Sequence, residues 1–159
     1  MADKATTSSS VSVFMDDIKS SLSGSFNYEP KDANDKWLFA EVSVSNSSGD
    51  LIADRDYLGS ADTTVVADDD VAWIAIKNIS STSTDGIAIR IDAGTAAHNS
   101  AGNIYIGSGE MVVLKTYTTP LASIHAISVT MDGTYGYPSA THAGTVSCQI
   151  AAIVDDGGV

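Results

Sequence analysis

Three histidines, His98, His125 and His142, are the residues of this 159-residue chain best suited to acid–base work or metal binding. A pre-formed zinc site would show them as HExxH, as HxH or paired with cysteines, and none of these spacings occurs. A site using all three would have to be assembled from distant segments. His125 falls in a strand pattern, whereas His98 in "TAAHNSAG" and His142 in "SATHAGT" fall in loops, where solvated polar side chains are the ordinary occupants. Carboxylates cluster at Asp32 and Asp35, at Asp54 and Asp56, and at Asp68, Asp69 and Asp70. Loops of this kind can collect calcium, but the EF-hand's central glycine and distal glutamate are missing, and turn aspartates serve equally to keep strand edges from pairing with neighbours. No metal and no cofactor is expected.

Nucleophilic chemistry fares no better. There is no G-x-S-x-G elbow, so a Ser-His-Asp set would have to be built from separated loops, with His125 or His142 beside a carboxylate in a deep pocket. Gly107-Ser108-Gly109-Glu110 resembles a phosphate-cradling loop only in its glycines. Such a loop must lead into a helix whose first amides face the anion, whereas "MVVLKTY" after it is strand-like, and Glu110 would repel phosphate. The stretch is expected to be a hairpin turn. The single cysteine, Cys148 in "TVSCQIAAIV", excludes an internal disulfide and reads as a small buried hydrophobe. No catalytic residue is assigned and the chain is expected to be non-enzymatic.

Aromatic residues offer a different kind of chemistry. In "MDGTYGYPSATHAG", Tyr135 and Tyr137 alternate in an extended segment and can point the same way, either into a subunit interface or onto the face of a sugar ring. The interface reading takes precedence because Tyr is enriched there. A net charge of −12 opposes contact with a phosphate backbone, so nucleic acid is not an expected direct partner. No apolar run approaches the roughly twenty residues of a membrane helix. The start, "MADKATTSSSVSVFMDDIKSSLSG", is interrupted by Asp16, Asp17 and Lys19 and does not read as a secretory signal, so folding inside a cell is expected.

The elements that would position these residues are mainly strands. Residues 1–10 are small and polar and read as an arm that orders against a partner. In 11–24 the recurrence of Phe14, Ile18 and Leu22 with Gly24 behind them favours a short helix, although Val11 and Val13 alternate as in a strand. From residue 36 the period is close to two. "KWLFAEVSVSN" sets Leu38, Ala40, Val42 and Val44 against a wetter face carrying Trp37, Phe39 and Glu41. "VAWIAIKNI", "GIAIRIDAG", "NIYIG", "MVVLKTY", "IHAISVTM", "TVSCQIAAIV" and "TTVVA" continue it. About eight short strands bounded by turn residues predict an all-β, antiparallel sandwich or barrel, with an N-terminal arm or short helix over 1–24 and the β domain over 25–159.

The segment "VAWIAIKNISSTSTDGIAIRI", then "NIYIGSGEMVVLKTY" and "TVSCQIAAIVDD", resembles the small all-β virion proteins of tailed bacteriophages, among them capsid decoration (cement) proteins and related tail modules. The likeness rests on the strand ending in Lys77-Asn78, the polar turn into Ile87–Ile91, the Gly109-Glu110 corner and the closing strand; residues 1–60 do not share it. It implies a jelly-roll-like sandwich repeated over a particle, as a homotrimer, clamping the major capsid or other virion proteins. The expected location is the outer surface of the virion after assembly in the host cytoplasm. The arm would supply the clamp through Val11, Val13, Phe14, Ile18 and Leu22, with Tyr135 and Tyr137 as further interface residues. The alternatives are a carbohydrate-binding module of a tail or surface assembly, and a small β-sandwich hydrolase.

Overall fold

Hydroxyl side chains alternating with valines and aromatics make residues 5–28 poor helix formers and good strand formers. In the computed structural model they pair as an antiparallel ribbon of β1 (Ala5–Met15) and β2 (Ile18–Tyr28). The short helix expected over 11–24 is not formed. The four-residue recurrence of Phe14, Ile18 and Leu22 is broken by the chain reversal between Met15 and Ile18, and Gly24, the expected helix stop, lies inside β2 opposite Ser9. The structure describes residues 4–15, 18–30, 35–52, 69–91, 95–120, 123–134 and 136–155, with the side chains of 13–15, 18–20, 117 and 118 outside that set. The chain separates into two compact units, residues 1–33 and 34–159, so the ribbon runs on past the expected boundary at 24.

Among the described residues the second unit is all-β and its strand pairs are antiparallel. Its described strands are β3 (Lys36–Val44), β4 (Gly49–Asp50), β5 (Asp70–Asn78), β6 (Asp85–Ile91), β7 (Ile104–Ile106), β8 (Met111–Pro120), β9 (Ile124–Met131), β10 (Pro138–Thr141) and β11 (Val146–Asp155). The short β4 and β10 were not expected, and the "TTVVA" strand lies outside the described residues. One sheet has the order β3-β11-β5-β8. The other runs β10-β9-β6-β7, with β4 paired to β9 at Gly49↔Ala126 and Asp50↔His125.

The two sheets share one core, as a sandwich requires. Leu38 and Val42 of β3, Ile74 and Ile76 of β5, and Ile150 and Ala152 of β11 meet Ile87 and Ile89 of β6, Ile106 of β7 and Ile124 of β9. The alternation read in β3 holds: Leu38, Val42 and Val44 are buried while Phe39 faces outward. Cys148 lies in this core. In β6 the other face is closed too. Ala88 joins Ile127, Val129, Met131 and Ala96 in a second cluster on the far side of its sheet, against which Tyr105 packs. Gly86 belongs here for lack of room, because a Cβ at this position would sit 2.4 Å from Met131 Cγ.

Four chain connections converge at one end of the sandwich, and two buried polar residues tie them. Asn78 is fully buried at the end of β5. Its amide nitrogen donates to the carbonyls of Asp85 (3.0 Å) and Ile106 (3.2 Å), and its amide oxygen accepts from Ser80 N–H at 2.9 Å. Its backbone N–H donates to Glu110 C=O, and its C=O accepts from Gly109 N–H. The β5–β6 and β7–β8 connections, each crossing from one sheet to the other, are thereby fastened to one side chain. Ser128, also fully buried, does the same for the connections after β3 and after β10. Its N–H donates to Ser45 C=O (2.8 Å), its C=O accepts from His142 N–H (3.1 Å), and its hydroxyl donates to Gly144 C=O at 2.8 Å.

Replacing Asn78 by Ala removes three side-chain hydrogen bonds from a site that water does not reach, leaving two carbonyls and one amide with fewer partners. The expected loss is about 3 kcal/mol of unfolding free energy. Urea unfolding of N78A against the parent chain measures it, and a loss under about 1 kcal/mol would show that the two corners hold without this side chain.

Candidate functional site

The glycine loop is a corner and not a hairpin, because β7 and β8, which it joins, belong to different sheets. Glu110 N–H closes the turn onto Gly107 C=O at 3.1 Å, and Gly109 supplies a φ of +75°. The Glu110 carboxylate accepts from Gly107 N–H at 2.7 Å, so the amide an anion would need is already bonded to a carboxylate. Ser108 hydroxyl donates to Ser80 C=O at 2.6 Å and draws the two corners together. Phosphate has no place here.

Each histidine has a defined setting. His142 Nδ1 accepts from Gly144 N–H at 3.0 Å, which leaves Nε2 to face Asp85 Oδ1 at 3.3 Å. The other oxygen of Asp85 accepts from Ser80 hydroxyl at 2.6 Å. The order is therefore serine to aspartate to histidine. A hydrolytic triad needs histidine in the middle, so no hydroxyl is activated by the imidazole at this cluster. His125 Nδ1 lies 3.1 Å from Asp50 Oδ1, with Arg90 directly opposite on the next strand. Asp50 and His125, together with Ser48, Gly49 and Thr95, line an open hollow of about 370 Å³. Its position was legible only in part, since Asp50 joins His125 through the unexpected pairing of β4 with β9. His98 Nδ1 lies 3.3 Å from the Thr141 hydroxyl. Among the described residues no group of three or more His, Cys, Asp or Glu is arranged to hold a metal ion. Asp54, Asp56 and Asp68 are outside the described residues.

The residues assigned to an interface fall in two places. In the ribbon the register sets Val11 opposite Leu22, Thr7 opposite Phe26 and Ala5 opposite Tyr28, all on one face. The alternate pairs, Thr6–Asn27, Ser8–Ser25, Ser10–Ser23 and Ser12–Ser21, form a hydroxyl and amide face behind it. Val11 and Leu22 are 54% and 69% exposed. Val13, Phe14 and Ile18 belong to the same strand pair, opposite Ser20, Lys19 and Met15, but their side chains are outside the described set. Tyr137 is exposed at the β9–β10 tip, where its C=O accepts from Asp132 N–H at 2.7 Å; Tyr135 is outside the described residues.

An apolar surface missed in sequence lies on the outer face of the β3-β11-β5-β8 sheet. Phe39, Ala151, Ala75 and Val113 stand in one row across all four strands, and the next row is Glu41, Gln149, Lys77 and Met111. The signal was present in the odd-numbered positions of β3, but only the cross-strand register gathers them into a surface. Comparison with models of known protein families and with curated proteins finds no match for this chain.

At the opposite end of this sheet like charges are forced together. Asp70 and Asp155 are directly paired across β5 and β11. Burial chiefly, then the Asp155 carboxylate and then that of Asp69, raises the Asp70 pKa above its ordinary value. A raised carboxyl pKa means that the folded chain binds the proton more tightly than the unfolded chain. Stability is thus intact below the unfolded value and declines as pH climbs through the folded one. Asp70→Asn is expected to unfold at higher urea than the parent near neutral pH, with the gap closing below the ordinary carboxylate range. An unchanged gap across that titration would remove this account of Asp70.

Proposed function

We propose that the chain is a non-enzymatic structural protein of a tailed-phage virion, a capsid decoration (cement) protein that stabilises the outer surface of the head by adhering to shell proteins and to its own copies. Strand order is the observation that carries the reading. Among the described residues, with β10 set aside as an added hairpin strand, the strands β3 to β9 and β11 renumbered in chain order give sheets of order 1-8-3-6 and 2-7-4-5. This order supports a jelly-roll-like reading of the sandwich, an architecture used by viral capsid and lectin domains. Fold alone admits many functions, so the surfaces must supply the rest.

Three features support the decoration reading over its rivals. A two-stranded ribbon is marginal by itself in water, so one that forms a separate unit and exposes Val11 and Leu22 is suited to ordering against a partner. The net charge of −12 favours a location away from packaged DNA, on the outside of a shell, where no direct nucleic-acid contact is made. Phe39 and Met111, exposed on the edge strands of the β3-β11-β5-β8 sheet, offer contacts between copies, with a trimer as the number the resemblance implies. Assembly in the host cytoplasm accords with this, and no helix among the described residues is long and apolar enough to cross a membrane.

A second reading, a carbohydrate-binding module, is favoured by the open hollow at Asp50, Thr95 and His125, where a carboxylate, a hydroxyl and an imidazole face the same space. The two readings separate in one experiment. Val11→Asp with Leu22→Asp places charge on the apolar side of the ribbon. Co-sedimentation with phage heads is expected to fall at least about tenfold, while the core's thermal unfolding stays unchanged. Undiminished co-sedimentation, or glycan-array binding that is lost on Asp50→Ala and untouched by the ribbon variant, would set the decoration reading aside.

A further inference from the structure

We propose that the ribbon joins another copy of this chain edge to edge, a strand of one ribbon adding to a strand of the next so that both belong to one continuous sheet. An edge strand offers a row of unpaired backbone N–H and C=O groups that any extended chain can use, and folded proteins block it with charge, proline, bulges or shortness. Among the described residues, every edge of the core's two sheets is blocked in one of these ways. β3 carries Lys36 and Glu41; β8 carries Lys115 and Pro120 and has a shifted register against β5. β7 has only three residues, and β10 has four, the first of them Pro138.

The ribbon is built without these devices. β1 and β2 are each eleven residues long, contain no proline, and pair from Ala5↔Tyr28 to Met15↔Ile18 without a bulge. Lys19, beside the chain reversal, is their one charged residue. Among the described residues no third strand joins them, so the ribbon has two long, flat edges.

What fills such an edge is an extended strand, and a copy of the same ribbon meets the requirements. Two strands alone are marginal in water, and a third and fourth supply the hydrogen-bonded neighbours that an independent sheet needs. A net charge of −12 opposes contact between copies wherever the acids are displayed, whereas strands with one charge between them can approach one another. A register that keeps like faces together also continues both faces. The serine pairs Ser8–Ser25, Ser10–Ser23 and Ser12–Ser21 run on as one hydroxyl face, and Val11 and Leu22 extend into a broader apolar one.

The contact is measured on the purified full chain without particles. Sedimentation velocity over a concentration series is expected to show reversible self-association. Lysine pairs charge one strand at a time, Ser8→Lys with Ser12→Lys on β1 and Ser21→Lys with Ser25→Lys on β2. At least one pair should weaken the association about tenfold with the core's thermal unfolding unchanged, while threonine at the same positions, strand-forming and uncharged, should leave it within about threefold of the parent. Amide exchange supplies a readout without substitutions. In a lone ribbon the amides of each strand alternate between bonded to the partner strand and open to water, and edge pairing closes the open ones, so consecutive amides of one strand should become slow at high concentration. A monomer at every concentration, association indifferent to both lysine pairs, or protection that stays alternate in the associated form would overturn the contact. Co-sedimentation with phage heads keeps it apart from the decoration reading. A chain that self-associates through its edge but ignores heads retains this contact and loses decoration, and a monomeric chain that sediments with heads does the reverse.

Discussion

A buried amide, Asn78, is the constraint on which the two-sheet arrangement depends. A sandwich whose chain crosses repeatedly between sheets must bend sharply at its ends, and each bend leaves backbone groups that neither sheet's ladder can satisfy. Asn78 meets that demand at two bends at once, by donating to Asp85 and Ile106 carbonyls and accepting from Ser80, while its own backbone is bonded to the Gly109–Glu110 corner. Ser128 serves the remaining two connections at the same end. Such residues are costly to bury without partners and become organising centres when every partner is present, because no alternative packing satisfies them equally. Ser80, Asp85 and His142 sit beside this knot, and their hydrogen bonds are best understood as its outer layer.

Charge sets a second constraint, visible where it is tolerated and where it is avoided. Asp70, Asp69 and Asp155 gather at one end of the β3-β11-β5-β8 sheet, at the expense of a raised Asp70 pKa. On the outer face of the same sheet Glu41, Lys77 and Lys115 stand among Phe39, Val113 and Met111, whereas in the ribbon every described position on the Val11–Leu22 face is uncharged. An acidic protein that keeps charge off the Val11–Leu22 face leaves the hydrophobic effect free to act there.

Strand content was readable because the side-chain period of two survives any tertiary arrangement: Leu38, Val42 and Val44 were assigned inward and Phe39 outward, and they are so placed. The ribbon was misread where spacing imitated a helix. Phe14, Ile18 and Leu22 recur every four residues only because a two-residue connection happens to fall between them, and period analysis cannot detect a reversal of chain direction. The glycine loop was rightly taken as a turn, yet a hairpin and an inter-sheet corner use the same residues, so the distinction lay in which strands pair on either side. Asn78 looked like the polar end of a strand and gave no sign of its hydrogen bonds to segments 7 and 28 residues away.

Composition and alternation by themselves determined that this chain is a strand protein with an acidic balance of charge and a buried cysteine, since these follow from local preference and from the sum of charges. Which faces lie together was decided only by tertiary structure. The Phe39–Ala151–Ala75–Val113 row draws on four strands spread over 113 positions of the chain, from 39 to 151, and His125 acquires Asp50 through a two-residue strand too short to leave a pattern. Hydrogen-bond register is a relation between distant segments, and no local property of either segment records it.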